Sequence, residues 1–232
     1  MAPTSIRTER AVYRLFGHGS PPPAAVESSA FFIRDEKTEA EIIVFGDVEP
    51  DSVSVWPRNK GIWEAAAPRV AARKIRAIFI ECSYSNDTRD IALYGHLCPR
   101  HLAAELTVLA KMVADMRGIQ YSGSLRRGRR EASDASGLPP TSKCSNADSS
   151  NMVDIMSLGP EAIHHEATIT EDIPFSEKPL NGFHVYVIHI KDDMADNSNP
   201  GEKILRDLED LEKVFGLGCN FYIPTRGESI WV

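Results

Sequence analysis

The chain contains several short runs of apolar residues that are typical of strands buried in a sheet. Residues 42–45 and 75–80 are almost continuously apolar, and residues 183–190 form a third run. Residues 29–34 precede the first of these runs, and the charged turn 35–39 between them indicates a β-hairpin. We therefore predict a sheet with these segments at its centre.

Two segments have the apolar spacing of amphipathic helices. Pro99 opens the first, Gly118 lies just past its end, and its apolar residues fall on one face. Asn199 and Pro200 start the second, which Gly216 ends. The alanine-rich stretch up to residue 72 predicts an irregular crossover with a short helix. Pro68 is expected to interrupt or restart that helix.

The remaining segments complete an α/β layered arrangement in a single domain over residues 1–232. Residues 219–223 and 229–232 are predicted to form two short edge strands, whereas the first 14 residues show no clear period. Residues 119–178 are rich in Ser, Asn, Asp, Gly and Pro and are predicted to form a disordered, low-complexity insert.

The charge of the chain argues against two classes of binding partner. A net charge of -7 and a pI near 5.5 argue against a protein that binds nucleic acid or an anionic membrane, because both need a basic face. The chain has no run of about 20 apolar residues and no signal peptide, so we expect a cytoplasmic protein. Its four cysteines are scattered, which predicts reduced thiols rather than a disulfide framework or a zinc knuckle.

Acidic and histidine side chains follow the predicted strands. Asp47 and Glu81 each come directly after a buried run, and His189 lies at the end of the 183–190 run. His18 lies on a Gly- and Pro-rich loop, and His96 precedes the first amphipathic helix. Taken alone, each has an ordinary alternative: a turn or helix-capping residue, or an exposed loop histidine. For Asp47 taken alone, the turn or capping role is favoured over the alternative of a metal ligand.

Several motifs together resemble class II cyclic-nucleotide phosphodiesterases of the fungal low-affinity type. They are Phe-Phe-Ile-Arg-Asp at 31–35, Gly-Asp-Val-Glu-Pro-Asp at 46–51, Ile-Phe-Ile-Glu-Cys-Ser at 78–83, Gly-His-Leu at 95–97 and Val-Ile-His-Ile-Lys at 187–191. This family belongs to the metallo-β-lactamase superfamily. The resemblance therefore implies a partial αββα sandwich with two zinc ions at the ends of its sheets.

The resemblance also implies a role for each candidate residue. Asp47 is similar to the carboxylate that bridges the two metals, and His189 and His18 are similar to histidine ligands. His96, oriented by Glu81, is similar to the general acid near the leaving group. With zinc to activate water, the implied reaction is hydrolysis of 3′,5′-cyclic AMP to 5′-AMP.

One family signature is missing from these residues. The run His-x-His-x-Asp-His, which supplies most of the zinc ligands in the family, occurs nowhere in the chain. We therefore expect a carboxy-terminal portion of the enzyme that binds zinc weakly and hydrolyses cyclic AMP poorly or not at all. Missing strands would also leave an unpaired edge and an uncovered apolar surface, which favours a homodimer or pairing with a full-length relative.

Two other hypotheses remain open. One is another hydrolase of the same superfamily that acts on RNA or a sulfate ester, although the acidic composition weighs against RNA. The other is a catalytically dead interaction module that pairs with a full-length relative.

Overall fold

The computed structural model describes residues 6–16, 25–120, 175–191 and 199–231, with the side chains of 11–16 and 25–27 excepted. Six strands form one sheet in chain order. They are β1 (Ile6–Phe16), β2 (Ala25–Asp35), β3 (Glu41–Phe45), β4 (Ile75–Glu81), β5 (Phe183–Ile188) and β6 (Cys219–Tyr222). Strands β1 to β3 pair antiparallel, and β3 to β6 pair parallel.

Three α-helices supply the crossovers between the parallel strands. They are α1 (Asn59–Ala71), α2 (Pro99–Arg117) and α3 (Pro200–Phe215), and a short 3₁₀ turn, Asp90–Ala92, lies between β4 and α2. Helix α2 packs against both α1 and α3. Both helices predicted in full, α2 and α3, are confirmed, and each ends at a glycine in the left-handed conformation.

The helices cover one face of the sheet, and that face holds the core. Alternate strand residues such as Ile43, Ile78 and Val185 are fully buried in one cluster with helix residues including Trp63 and Leu106. Burial of this apolar area is the main driving force for folding. The layout confirms the predicted α/β class: one sheet with its helices, which is one half of an αββα sandwich.

The opposite face of the sheet is also apolar, but no element among the described residues covers it. Phe79 of β4 and Tyr186 of β5 stack at 4.8 Å between ring centroids, and Tyr186 stacks on Tyr222 of β6 at 5.3 Å. Val44 pairs with Phe79 in the same row, and Phe31 pairs with Val44. These side chains are half-buried or exposed and lie outside the core cluster. The expected uncovered apolar surface is therefore present in the described part of the chain.

The fold differs from the prediction at four places. Residues 6–16 form a strand where no element was predicted, and residues 229–231 form none. Pro68 lies inside α1 without interrupting it, because buried Ala66, Ala67 and Val70 hold that turn against the core. The strand predicted at 183–190 ends at Ile188, two residues early.

The predicted insert at 119–178 is described only at its ends. The backbone N–H of Ser176 donates to the carbonyl of Gln120 at 2.9 Å, and Phe175 packs against the core. The two ends of the segment therefore meet beside the domain. Residues 121–174 lie outside the described residues, and the disorder assigned to them stays a prediction.

Candidate metal centre

Parallel pairing brings the carboxyl ends of β3, β4 and β5 to one edge of the sheet. Asp47 follows β3, Glu81 is the last residue of β4, and His189 follows β5. His96 comes from the loop between β4 and α2, which passes over the same edge. Four of the five residues predicted from the sequence therefore lie together. The fifth, His18, lies outside the described residues.

Gly46 lies where the chain leaves β3 toward Asp47. Its φ is not in the left-handed region, so glycine matters here because neighbouring atoms leave little room for a side chain. Its backbone N–H donates to the carbonyl of Ser29 at 2.9 Å. A Cβ at position 46 would lie 2.8 Å from Ser28 Oγ and 3.5 Å from the Ser29 carbonyl oxygen. A Cβ here would collide with the Ser28 hydroxyl, whereas its distance to the Ser29 backbone would be an ordinary contact, so glycine leaves room for that hydroxyl.

His189 projects from a strained turn at the end of β5. Its φ is 55°, in the left-handed region that non-glycine residues rarely adopt. Ser83 Oγ lies 2.7 Å from the His189 carbonyl oxygen, and the Lys191 backbone N–H donates to the Ser83 carbonyl at 3.0 Å. Backbone strain of about 1–3 kcal/mol persists only where neighbours hold it, and it is concentrated at functional sites.

The ring of His189 meets Asp47 across the edge of the sheet. Its Nδ1 lies 3.0 Å from Asp47 Oδ1, and both side chains are about half exposed. The His96 ring lies 5.3 Å from the His189 ring, edge to face. One ligand atom from each of Asp47, His96 and His189 lies within 4.8 Å of the other two.

This arrangement fits part of a metal coordination sphere. Zinc is held by histidine nitrogens and carboxylate oxygens at about 2.0–2.2 Å, which places neighbouring ligand atoms roughly 3–3.5 Å apart. The Asp47–His189 contact already has that separation. A zinc ion takes three or four protein ligands, so Asp47 and His189, even with His96, cannot supply the ligands of two ions, and further ligands are required.

Glu81 fixes the orientation of the His96 ring through contacts to its Nδ1. The His96 Nδ1 lies 2.8 Å and 3.0 Å from the two Glu81 oxygens, with both groups almost fully buried. Because a carboxylate accepts, Nδ1 is assigned as the donor, which leaves Nε2 facing away from Glu81. Glu81 Oε1 also accepts from the Val48 backbone N–H at 2.5 Å, which ties His96 to the loop that presents Asp47.

Sequence reasoning gave no role to three residues around this pair. Ser83 Oγ lies 2.6 Å from Glu81 Oε2, so it connects Glu81 to the His189 turn. The Tyr84 ring lies 6.1 Å from the His96 ring, and Lys191 Nζ lies 3.1 Å from the Tyr84 hydroxyl. Ser83 could have been found, because residues two apart in an extended chain point the same way. The Tyr84–Lys191 contact spans 107 residues and left no local signal.

A protein-family model matches most of the chain. The model of class-II cAMP phosphodiesterases matches residues 9–123 and 141–227. The chain belongs to this family. The resemblance seen in the sequence motifs is thereby confirmed.

Two relatives of the class II family are named 3′,5′-cyclic-nucleotide phosphodiesterase. One, from Schizosaccharomyces pombe, is 45% identical over 96 residues, covering 41% of this chain and 28% of that protein. The other, from Candida albicans, is 29% identical over 217 residues, covering 88% of this chain and 38% of that protein. The chain therefore spans less than half the length of these relatives.

A solved member shares the fold. The crystal structure of unliganded yeast PDE1 aligns with a TM-score of 0.60 at 21% identity, over 98% of this chain and 48% of that chain. The chain therefore shares the fold of about half of that solved chain. Its family and its convergent Asp47, His96 and His189 indicate a metal cofactor.

No helix among the described residues is long and apolar enough to cross a bilayer.

Proposed function

We propose that this protein acts in the zinc-dependent hydrolysis of 3′,5′-cyclic AMP to 5′-AMP, with this chain supplying only part of the metal ligands. The observation that supports it most is the convergence of Asp47, His96 and His189 from three separate parts of the chain. Membership of the class II family and the names of the relatives favour a cyclic nucleotide as the substrate.

The proposed ligands are Asp47 and His189 together with His18, which lies outside the described residues. A divalent cation in this position supplies Lewis acidity, which activates water and offsets the negative charge of a phosphodiester. Lys191, beside Tyr84, adds a fixed positive charge in the same region of an otherwise acidic protein. That charge favours the approach of an anionic phosphate.

His96 is proposed as the general acid and Glu81 as the residue that positions it. With Nδ1 donating to Glu81, a protonated His96 carries its second proton on Nε2. As water attacks phosphorus and the bond from phosphorus to the 3′ oxygen breaks, Nε2 gives that proton to the departing oxygen. The product is one molecule, 5′-AMP, with a free 3′ hydroxyl.

The location is proposed to be cytoplasmic. Cys82, Cys98 and Cys219 are all free and buried, as expected of thiols in a reducing compartment. Burial also raises the pKa of Cys98 to about 11, which keeps its thiol protonated and unreactive.

Zinc titration by calorimetry, combined with a cyclic AMP turnover assay on the purified 232-residue chain, tests the proposal. We expect weak zinc binding that depends on Asp47, and little or no turnover. Efficient turnover by the chain alone would refute the proposed impairment. The metal site would be refuted if the chain bound no zinc, or if Asp47→Asn left zinc binding unchanged.

A second candidate is an interaction module that pairs with a full-length relative or with a second copy. The uncovered aromatic row of Phe79, Tyr186 and Tyr222 favours it, because contiguous exposed apolar surface commonly marks an interaction site. Sedimentation velocity at several concentrations distinguishes a self-associating chain from a monomer.

A further inference from the structure

A cleft lies at the end of the sheet opposite the candidate metal centre. Its volume is about 170 Å³, and it is enclosed by the end of α1, the starts of β4 and β5 and the end of α2. Three arginines line it: Arg73, Arg76 and Arg117. No carboxylate is found among its lining residues in the described part of the chain.

We propose that this cleft binds a small phosphate-bearing anion. The inference does not depend on the proposed hydrolase function, because the cleft shares no residue with the metal centre. The space equals several water molecules at about 30 Å³ each, which is enough for a phosphate group and part of what it is attached to.

Arg117 forms a fixed, positively charged wall of the cleft. Its guanidinium donates to the carbonyls of Val70 and Ala71 at the end of α1 and to the carbonyl of Pro179, at 2.7–3.2 Å. These hydrogen bonds stabilise the negative end of the helix and hold the guanidinium in one position. They also occupy most of its donors, so Arg117 contributes charge more than new hydrogen bonds.

Arg73 and Arg76 provide the donors. Within the residues that the structure describes, neither side chain makes a hydrogen bond or an ion pair, in contrast to Arg69, which contacts both Glu9 and Glu41. A guanidinium whose N–H groups are unused presents a planar fork that matches two phosphate oxygens.

The cleft is also electrostatically unbalanced. Burial lowers the pKa of Arg117, and the positive charge of Arg73 lowers it further. In a chain of net charge -7, carboxylates are abundant, yet none faces this cluster among the lining residues. An anion between the arginines would relieve the repulsion of Arg73 and Arg117, whereas a cation or a neutral apolar ligand would not.

Calorimetric titration with inorganic phosphate and with 5′-AMP, in EDTA and at constant ionic strength, tests the proposal. We expect saturable binding to the full 232-residue chain. We expect Arg73→Gln/Arg76→Gln to weaken it by about tenfold or more, since charge-assisted hydrogen bonds are the strong ones. The control Arg58→Gln/Arg226→Gln removes the same charge from two exposed positions outside the cleft and is expected to bind as the wild type does.

The two ligands distinguish the sources of the phosphate group. Equal affinity indicates a site for the phosphate alone, and tighter binding of 5′-AMP indicates a site for a nucleotide. If the double variant fails to fold, as judged by circular dichroism, Arg76→Gln alone at an exposed strand position is expected to weaken binding several-fold. Absence of saturable binding, or equal loss in the cleft and control variants, would overturn the proposal.

Discussion

The two ends of the parallel strands differ in charge and in how that charge is satisfied. At the carboxyl ends, the carboxylates of Asp47 and Glu81 lie next to histidine rings at 2.8–3.0 Å. At the amino ends, Arg73 and Arg76 line a cleft with no carboxylate among its lining residues. A single sheet therefore presents histidine–carboxylate pairs suited to cations at one edge and a positive cleft suited to anions at the other.

This difference shows where a parallel sheet is free to carry chemistry. The middle of each strand is committed to the core, as with Ile43, Ile78 and Val185. Residues just beyond the strand ends are not needed for core packing, and parallel pairing of the strands places them next to one another at one edge of the sheet. Substitutions at the carboxyl and amino ends of the strands test whether the two ends differ in function as their contacts indicate.

Removing the carboxylate of Asp47 is expected to have the largest effect. We expect Asp47→Asn to lower zinc affinity by about 100-fold or more, because even residues that only support a metal ligand are worth about 10–100-fold. Its side chain is half exposed, so stability is expected to change little. Calorimetry measures the affinity. Asp210→Asn, which removes an exposed carboxylate paired with Lys213, is the control, and an equal loss there would contradict a site at Asp47.

Glu81 lies deeper at the same end, so its loss is expected to affect stability as well. Glu81→Gln keeps one acceptor oxygen but replaces the other with an NH2 group, which donates and cannot accept, so one of the present donors is left without its partner. We expect the free energy of unfolding to fall by about 1–3 kcal/mol, the usual cost of a buried polar group left without its partner.

Urea denaturation measures this change. The exposed Glu209→Gln is the matched control and is expected to stay within about 0.5 kcal/mol of the wild type. A Glu81→Gln variant as stable as the control would mean that the buried contacts around His96 contribute nothing.

Substitution of Arg117 tests the contacts at the amino ends of the parallel strands, where its side chain lines the cleft. Arg117→Met keeps most of the apolar stem but leaves the carbonyls of Val70, Ala71 and Pro179 without their donor. We expect a loss of about 1–2 kcal/mol in the free energy of unfolding, because water can reach part of this half-buried site. Arg58→Met, at an exposed position, is the control in the same denaturation assay.

The smallest expected effect is a pH dependence of stability that arises from buried His101 in α2. Burial lowers the pKa of His101 below 6.5, although the contact with Asp90 partly opposes it and Arg100 adds to it. The unfolded state therefore takes up a proton first as the pH falls through 6.5, and stability is lost between pH 6.5 and the lower folded pKa.

His101→Gln is expected to remove that part of the pH profile, worth up to about 1.4 kcal/mol per pKa unit. Thermal or urea unfolding between pH 5 and 8 measures it. The nearby Asp90 does not interfere, because its pKa is lowered below 3.8 and its contribution is lost only in more acidic solution. An unchanged profile in the variant would contradict the assignment to His101.

Elements with a buried face were predictable from the sequence, and those without one were not. Helices α2 and α3 each bury one side and end at a glycine, which leaves a periodic pattern. Residues 6–10 of β1 are all exposed, so burial imposes no alternation there and the strand gives no signal. Pro68 shows the opposite case, in which packing of neighbouring alanines overrides a local preference.

The acidic and histidine residues of the candidate site could be predicted from the sequence, but several contacts between them could not. Asp47, Glu81, His96 and His189 stand at strand ends or near a helix start, and the parallel pairing of β3, β4 and β5 brings those positions together. The Ser83 contact to the His189 turn and the Tyr84–Lys191 contact depend on three-dimensional geometry that spacing cannot supply.

Titration of zinc into the ¹⁵N-labelled chain, observed at the histidine ring nitrogens by NMR, tests the metal centre most directly. The chain provides its own controls, because His101 and His184 lie outside the group formed by Asp47, His96 and His189. We expect the ring nitrogens of His189, the proposed zinc ligand, to change while those of His101 and His184 stay as they are, and Asp47→Asn to suppress the change. Zinc binding that leaves His189 unchanged, or that shifts His101 and His184 as much as His189, would contradict a metal centre at Asp47 and His189.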